Sequence, residues 1–152
     1  MKIVDVLQKE AILIDLKATD KQGVIAELVV PIARITGVKQ KEMVRVLMDR
    51  EGLGSTGIGD GIGIPHGKLK GLTSLVIGFG ISRKGVDFES MDNRPTHIFF
   101  LLITPENSTG LHLKLLARIS RILKSESFKE QLLSAPGAED IFSIIREADE
   151  DM

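Results

Sequence analysis

The run "IFFLLI", Ile98 to Ile103, constrains this chain more than any other six residues in it. A membrane helix needs roughly 20 apolar residues, so a run this short belongs inside a folded protein. Read as a strand, it is apolar on both alternating faces, and such a strand is covered from both sides. Helices above and below a sheet follow from that single segment.

The remaining periodicities supply those layers. "SLVIGFGIS" (Ser74 to Ser82) reads as a second strand, separated from "THIFFLLIT" (Thr96 to Thr104) by "RKGVDFESMDNRP", a stretch with turn residues enough for a loop or short hairpin. "AILIDLKA" (Ala11 to Ala18) reads as another strand, after a short helix within Met1 to Gln8. Thr19 and Asp20 are capping-type residues opening a helix through Val24, Leu28 and Ile32, with a bend at Pro31. "KQKEMVRVLMDREGLG" carries Met43, Val46 and Leu47 on one stripe and stops at Gly52 and Gly54. Three further helices follow, in "TGLHLKLLARISRILKS", "ESFKEQLLSA" and "AEDIFSIIREADED", and residues 148–152 read as a frayed end. The expected fold is an α/β sandwich, a mixed β-sheet with α-helices on both faces. With 152 residues, 43% of them hydrophobic, the chain suits one domain spanning 1–152.

Composition removes several functions. Lys and Arg total 20 against 21 Asp and Glu, and there is no Trp or Tyr. Neither the charge nor the stacking groups needed for nucleic acid are present. Without cysteine, disulfides, thiolate metal sites and thiol nucleophiles are impossible. The N-terminus lacks the apolar core of a signal peptide, so a soluble, cytoplasmic protein without direct membrane insertion is expected.

The chemistry concentrates in "STGIGDGIGIPHGK", Ser55 to Lys68. A phosphate-binding loop of the G-x-x-x-x-G-K-[ST] kind would need glycine at 62 and a hydroxyl after Lys68, where the chain has Ile62 and Leu69. The spacing G-x-G-x-x-G fails too. What remains is a flexible backbone presenting one imidazole, His66, between Pro65 and Gly67; the plainer alternative is a set of tight turns around an ordinary histidine. His112 lies on the apolar stripe of its helix with Leu116, Ile119 and Leu123, as a core histidine also would. Arg50 ends the preceding helix, where a cation is favoured by the dipole in any case. Together, two imidazoles and a guanidinium suit a transient phosphoryl group, offering a nitrogen nucleophile and donors for the oxygens.

These residues carry a resemblance. "REGLGSTGIGDGIGIPHGK", with "GVDFESMDNRP" and "FFLLITPENSTGLHLKLLARIS", resembles the enzyme IIA domains of the fructose/mannitol class of the bacterial phosphoenolpyruvate-dependent phosphotransferase system, over nearly the whole chain. The resemblance implies that His66 accepts a phosphoryl group from the phosphohistidine of the carrier HPr. It implies that His112 and Arg50 steady the phosphoryl oxygens, with Ser55, Thr56, Asp60, Gly61 and Gly67 in support and neither metal nor cofactor required. Gly63 stands where many relatives have alanine, a change expected only to loosen the loop, and His97 matches no motif. "GVDFESMDNRP" is similar to the nitrogen-regulatory branch, which implies a downstream regulatory target as acceptor. Two alternatives stay open: a fructose or mannitol enzyme IIA supplying a separate permease, and a non-catalytic interaction or metal-binding module.

Overall fold

The computed structural model describes residues 1–150. In chain order the elements are β1 (Leu7–Leu13), α1 (Lys21–Thr36), α2 (Gln40–Glu51), β2 (Gly57–Gly59), β3 (Ile62–Gly63), β4 (His66–Leu69), β5 (Val76–Val86), β6 (Thr96–Pro105), α3 (Thr109–Ile122), α4 (Glu126–Ser134) and α5 (Ala138–Glu150). Among the described residues the sheet has six strands, ordered β1-β5-β6-β3-β2, with β4 also pairing β6. Pairing is mixed: β1 with β5, β3 with β6 and β4 with β6 are parallel, while β5 with β6 and β2 with β3 are antiparallel.

The doubly apolar run is the middle of this arrangement. Ile98, Phe100 and Leu102 of β6 pack into a core with α3, α4 and α5, while Phe99, Leu101 and Ile103 pack into a second core with α1 and α2. Alternation in β5 is of another kind. Ile77, Phe79 and Ile81 face the first core, but the residues between them are glycines. A Cβ on Gly80 would lie 2.7 Å from Leu16 and Leu28, and one on Gly78 would touch Ile32 at 3.4 Å. The glycines therefore let α1 lie close against β5, and the Leu28 and Ile32 side chains fill the space.

Helix ends follow the sequence. Asp20 accepts from the Gly23 N–H at 2.8 Å to start α1, and Gly37, at φ 76°, ends it in the left-handed conformation. Pro31 is accommodated within that helix. No helix among the described residues is long and apolar enough to cross a membrane.

Five sequence expectations need correction. The first strand is Leu7–Leu13, not Ala11–Ala18, and the helix expected in Met1 to Gln8 is a 3-10 turn at Ile3–Asp5. The reason is a register shift: Leu7 pairs with Ile77 and Ile12 with Phe79, so the polar stretch between Leu7 and Ile12 bulges out of the ladder. Strand β5 runs on to Val86, which pairs with Thr96, taking the first part of "RKGVDFESMDNRP" into the sheet. The glycine-rich stretch is not simply a loop, since it holds β2, β3 and the start of β4. Finally, residues 148–150 are not a frayed end. Asp149 is fully buried, pairs with Arg118, and accepts from the Val4 N–H at 3.2 Å, tying α5 to the N-terminus. Residues 151–152 of the expected frayed end lie outside the described residues.

Candidate functional site

Strands β3 and β4 lie one after the other along the same edge of β6. Ile62 pairs with Ile98 and Gly63 with Phe99; further along, His66 pairs with Leu102 and Lys68 with Thr104. Residues paired across a parallel ladder share a face, so His66 and Lys68 point to the side of α3, and Gly67 and Leu69 to the side of α1 and α2. A Cβ on Gly67 would lie 2.9 Å from Val46 Cγ1, so α2 rests directly on the backbone of the residue after His66.

On the other face α3 brings His112 to His66. Their ring centroids are 5.4 Å apart, tilted at 55°. The Nδ1 of His66 lies 2.7 Å from the carbonyl oxygen of Ile64. A carbonyl only accepts, so Nδ1 carries the proton and Nε2 keeps a free lone pair. Burial is the main cause holding the His66 pKa below its usual 6.5; the Arg50 charge acts in the same direction, opposed by the Ile64 hydrogen bond and by Glu51. His112 is buried, and desolvation, with the neighbouring His66 and Lys68, lowers its pKa to about 4. Its Nδ1 is 2.6 Å from Thr104 Oγ1. At neutral pH the pair is two uncharged imidazoles, one offering a nucleophilic nitrogen.

Arg50 lies in the last turn of α2 and donates through Nη1 to the Gly54 carbonyl at 2.9 Å. Its other guanidinium donors have no hydrogen-bond partner among the described residues, and the residue is half-buried. Lys68 Nζ donates to Thr109 Oγ1 at 2.9 Å, placing a second cation beside the start of α3.

The other sequence candidates divide. Ser55 donates to the Phe88 carbonyl and accepts from the Gly57 N–H and Lys21 Nζ, while Thr56 donates to Glu51. Both hydroxyls are engaged in holding the chain. Asp60 and Gly61 lie elsewhere: they form the turn between β2 and β3, with Gly61 accepting from His97 and Ile98. Roughly 13 Å of strand, four residues at about 3.3 Å each, separates the Ile62 rung from the His66 rung, and the turn lies beyond Ile62. The structure thus brings His66 and His112 together, with Gly67 next to His66 on the strand, sets Arg50 near enough for its charge to act on His66, and leaves Asp60 and Gly61 apart.

Gly63 is also not a loop residue. It is buried in β3, and a Cβ there would lie 3.1 Å from the Phe99 ring, so alanine would press on the core. His97 is a strand residue whose Nδ1 bonds the Ser82 carbonyl at 2.8 Å.

Two residues at the site escaped the sequence reading. Lys21 and Glu51 form an ion pair at 2.9 Å with both side chains almost wholly buried, and Glu51 also accepts from the Thr56 N–H at 3.0 Å. A charged residue at a helix start, more than 30 positions before the loop, gives no periodic sign of burial. Among the described residues no group of three or more His, Cys, Asp or Glu side chains is arranged to hold a metal ion.

Comparison with known proteins gives the chain a family. Residues 5–148 match the family described as phosphoenolpyruvate-dependent sugar phosphotransferase system, EIIA 2. A nitrogen regulatory protein of Bradyrhizobium diazoefficiens is 39% identical over 145 residues, 95% of each chain. The fructose-specific EIIABC component of Bacillus subtilis is 36% identical over 150 residues, covering 98% of this chain but only 24% of that protein. The crystal structure of nitrogen regulatory protein IIA-Ntr from Neisseria meningitidis superposes with a TM-score of 0.89 at 31% identity, over 94% of this chain and 98% of that one.

Proposed function

The chain belongs to the EIIA 2 family of the phosphoenolpyruvate-dependent sugar phosphotransferase system, and from that premise we propose that it is a cytoplasmic histidine phosphocarrier of the nitrogen-regulatory kind, phosphorylated on His66 by phospho-HPr. One observation carries the assignment of His66. Its Nδ1 is held on the Ile64 carbonyl, so Nε2 is free, oriented and uncharged next to a second imidazole.

The transfer balances without a cofactor. Nε2 of His66 attacks phosphorus as the P–N bond of the donor's protonated phosphohistidine breaks. The donor ring leaves neutral, keeping its own N–H, and the His66 ring becomes cationic with its proton retained on Nδ1. The bond to Ile64 strengthens as that charge develops. Arg50 and His112 steady the equatorial oxygens, and catalysis is mostly positioning and charge stabilisation. A protein-sized donor suits the surroundings, because Leu53, just past the end of α2, and Leu113, next to His112, are large apolar side chains left exposed.

The nitrogen-regulatory reading rests on the Bradyrhizobium and Neisseria proteins, of which this chain matches 95% and 98% of the length. On that reading the bound phosphoryl group is a signal: it adds nearly two negative charges to this face and changes which downstream partner binds. The Bacillus protein supports the second reading, a fructose-type IIA passing phosphate to a separate permease.

The test is incubation with phosphoenolpyruvate, enzyme I and HPr. The parent should gain acid-labile phosphate and His66→Ala none. An unlabelled parent would overturn the phosphocarrier reading, and a labelled mutant would overturn the assignment of His66. Phosphate chased onto fructose-permease membranes would favour the sugar branch.

A further inference from the structure

The two histidines are anchored in the same way at Nδ1, but the anchors have opposite hydrogen-bonding character. His66 is held by a main-chain carbonyl, which can only accept. His112 is held by Thr104 Oγ1, a hydroxyl, which can also donate. Thr104 is completely buried on β6, and His112 Nδ1 is the one hydrogen-bond partner of its hydroxyl among the described residues. If Nδ1 of His112 carried a proton, the Thr104 proton would have no acceptor in a site closed to water, which is costly. The hydroxyl therefore donates to Nδ1, and the ring proton sits on Nε2.

We propose that Thr104 is a positioning residue that fixes His112 as the Nε2–H tautomer, opposite to His66, so that one ring presents a lone pair and the other a donor. The register explains why a β6 residue reaches both rings. Thr104 pairs with Lys68, and His66, Lys68, Leu102 and Thr104 share one face, with the first turn of α3 laid over it. The donor at His112 Nε2 has its use at a phosphoryl oxygen, and in that consequence the inference rests on the phosphocarrier reading. The tautomer itself does not.

Long-range proton–nitrogen correlation spectra of nitrogen-15-labelled protein at neutral pH distinguish the two tautomers directly. Wild type should show His66 protonated at Nδ1 and His112 at Nε2; His112 protonated at Nδ1 would overturn the proposal. In Thr104→Val the His112 signals should become those of a mixed or reversed tautomer, and transfer from phospho-HPr should slow about tenfold. That lies between the roughly twofold expected of an evenly populated tautomer pair and the roughly hundredfold of a deleted oxyanion donor. Thr104→Ser should restore both the spectrum and the rate. A valine variant that keeps the wild-type His112 spectrum and rate would overturn the positioning role while leaving phosphorylation of His66 intact. Conversely, loss of labelling in wild type would remove the phosphocarrier reading, and the spectrum would still decide the tautomer.

Discussion

The glycine-rich stretch has two ends that look alike in sequence and differ in physics. At its stem the Ile64 N–H bonds the Thr56 carbonyl at 3.0 Å, and behind Thr56 lies the buried Lys21–Glu51 pair. At its tip Asp60 and Gly61 turn the chain with φ of 56° and 77°, exposed or half-exposed, with the Asp60 N–H bonded to Asp92. The stem sets where Arg50 and His66 stand. The tip closes a hairpin. Glycine content thus marks two different requirements, close packing in the strands and positive φ in the turn, and only the first bears on the candidate site.

Breaking the stem should have the largest effect. Lys21→Met leaves the Glu51 carboxylate buried with no cation, and should destabilise the protein by about 3–5 kcal/mol, measured by denaturant unfolding. The double variant Lys21→Met with Glu51→Gln removes the stranded charge while keeping an acceptor for the Thr56 N–H, and should recover much of that loss. A single variant costing under about 1 kcal/mol would mean that the stem is held no more firmly than a surface pair.

Acid should separate the two ends next. His112 is buried with its pKa lowered to about 4, so between pH 6.5 and about 4 the unfolded chain binds a proton that the native site refuses. Stability therefore falls as pH drops through that window, by up to about 3 kcal/mol from this group. His112→Gln should flatten that slope. At the tip, Asp92 has a lowered pKa because it accepts from the Asp60 and Arg94 N–H groups. Its contribution is complete above the ordinary value of 3.8 and is lost only below it. Amide exchange followed from pH 7 to 3 should show the site loosening before the tip, and the reverse order would break the distinction.

Much of this was legible in the residues. The six apolar residues of β6 announced a doubly covered strand, and Asp20 and the stripe of α2 marked a helix start and a buried face. The pairing of His66 with His112 was legible only through the resemblance, because they sit 46 positions apart and meet through the parallel pairing of β4 with β6. Polar Gln8, Lys9 and Glu10 hid the start of β1, since a bulge can carry exposed residues through a ladder without period-2 alternation. The tip was legible and was passed over: Asp-Gly between short alternating segments is a strong hairpin signal, and both residues take the positive φ such a turn needs.

Gly67 tests the stem more gently. Adding one methyl there drives Cβ to 2.9 Å from Val46 Cγ1, a branched side chain with little freedom to withdraw. Gly67→Ala should destabilise by about 1–3 kcal/mol and slow phosphoryl transfer, because α2 and β4 carry Arg50 and His66 respectively. Val46→Ala in the same protein should relieve both defects. If the overpacked variant unfolds like wild type, α2 does not sit on β4 as closely as described.

The smallest effect belongs to the tip, and it is the most informative. Asp60 holds φ 56° without being glycine, a conformation that costs most residues but costs glycine nothing. Asp60→Gly keeps the backbone N–H that bonds Asp92 and removes only an exposed carboxylate. Stability should change by less than about 0.5 kcal/mol, and the rate of labelling by phospho-HPr by less than about twofold, because the carboxylate lies beyond the Ile62 rung, away from His66. A tenfold loss of rate with unchanged stability would show the tip reaching the donor protein, and the division between a working stem and a structural tip would have to be redrawn.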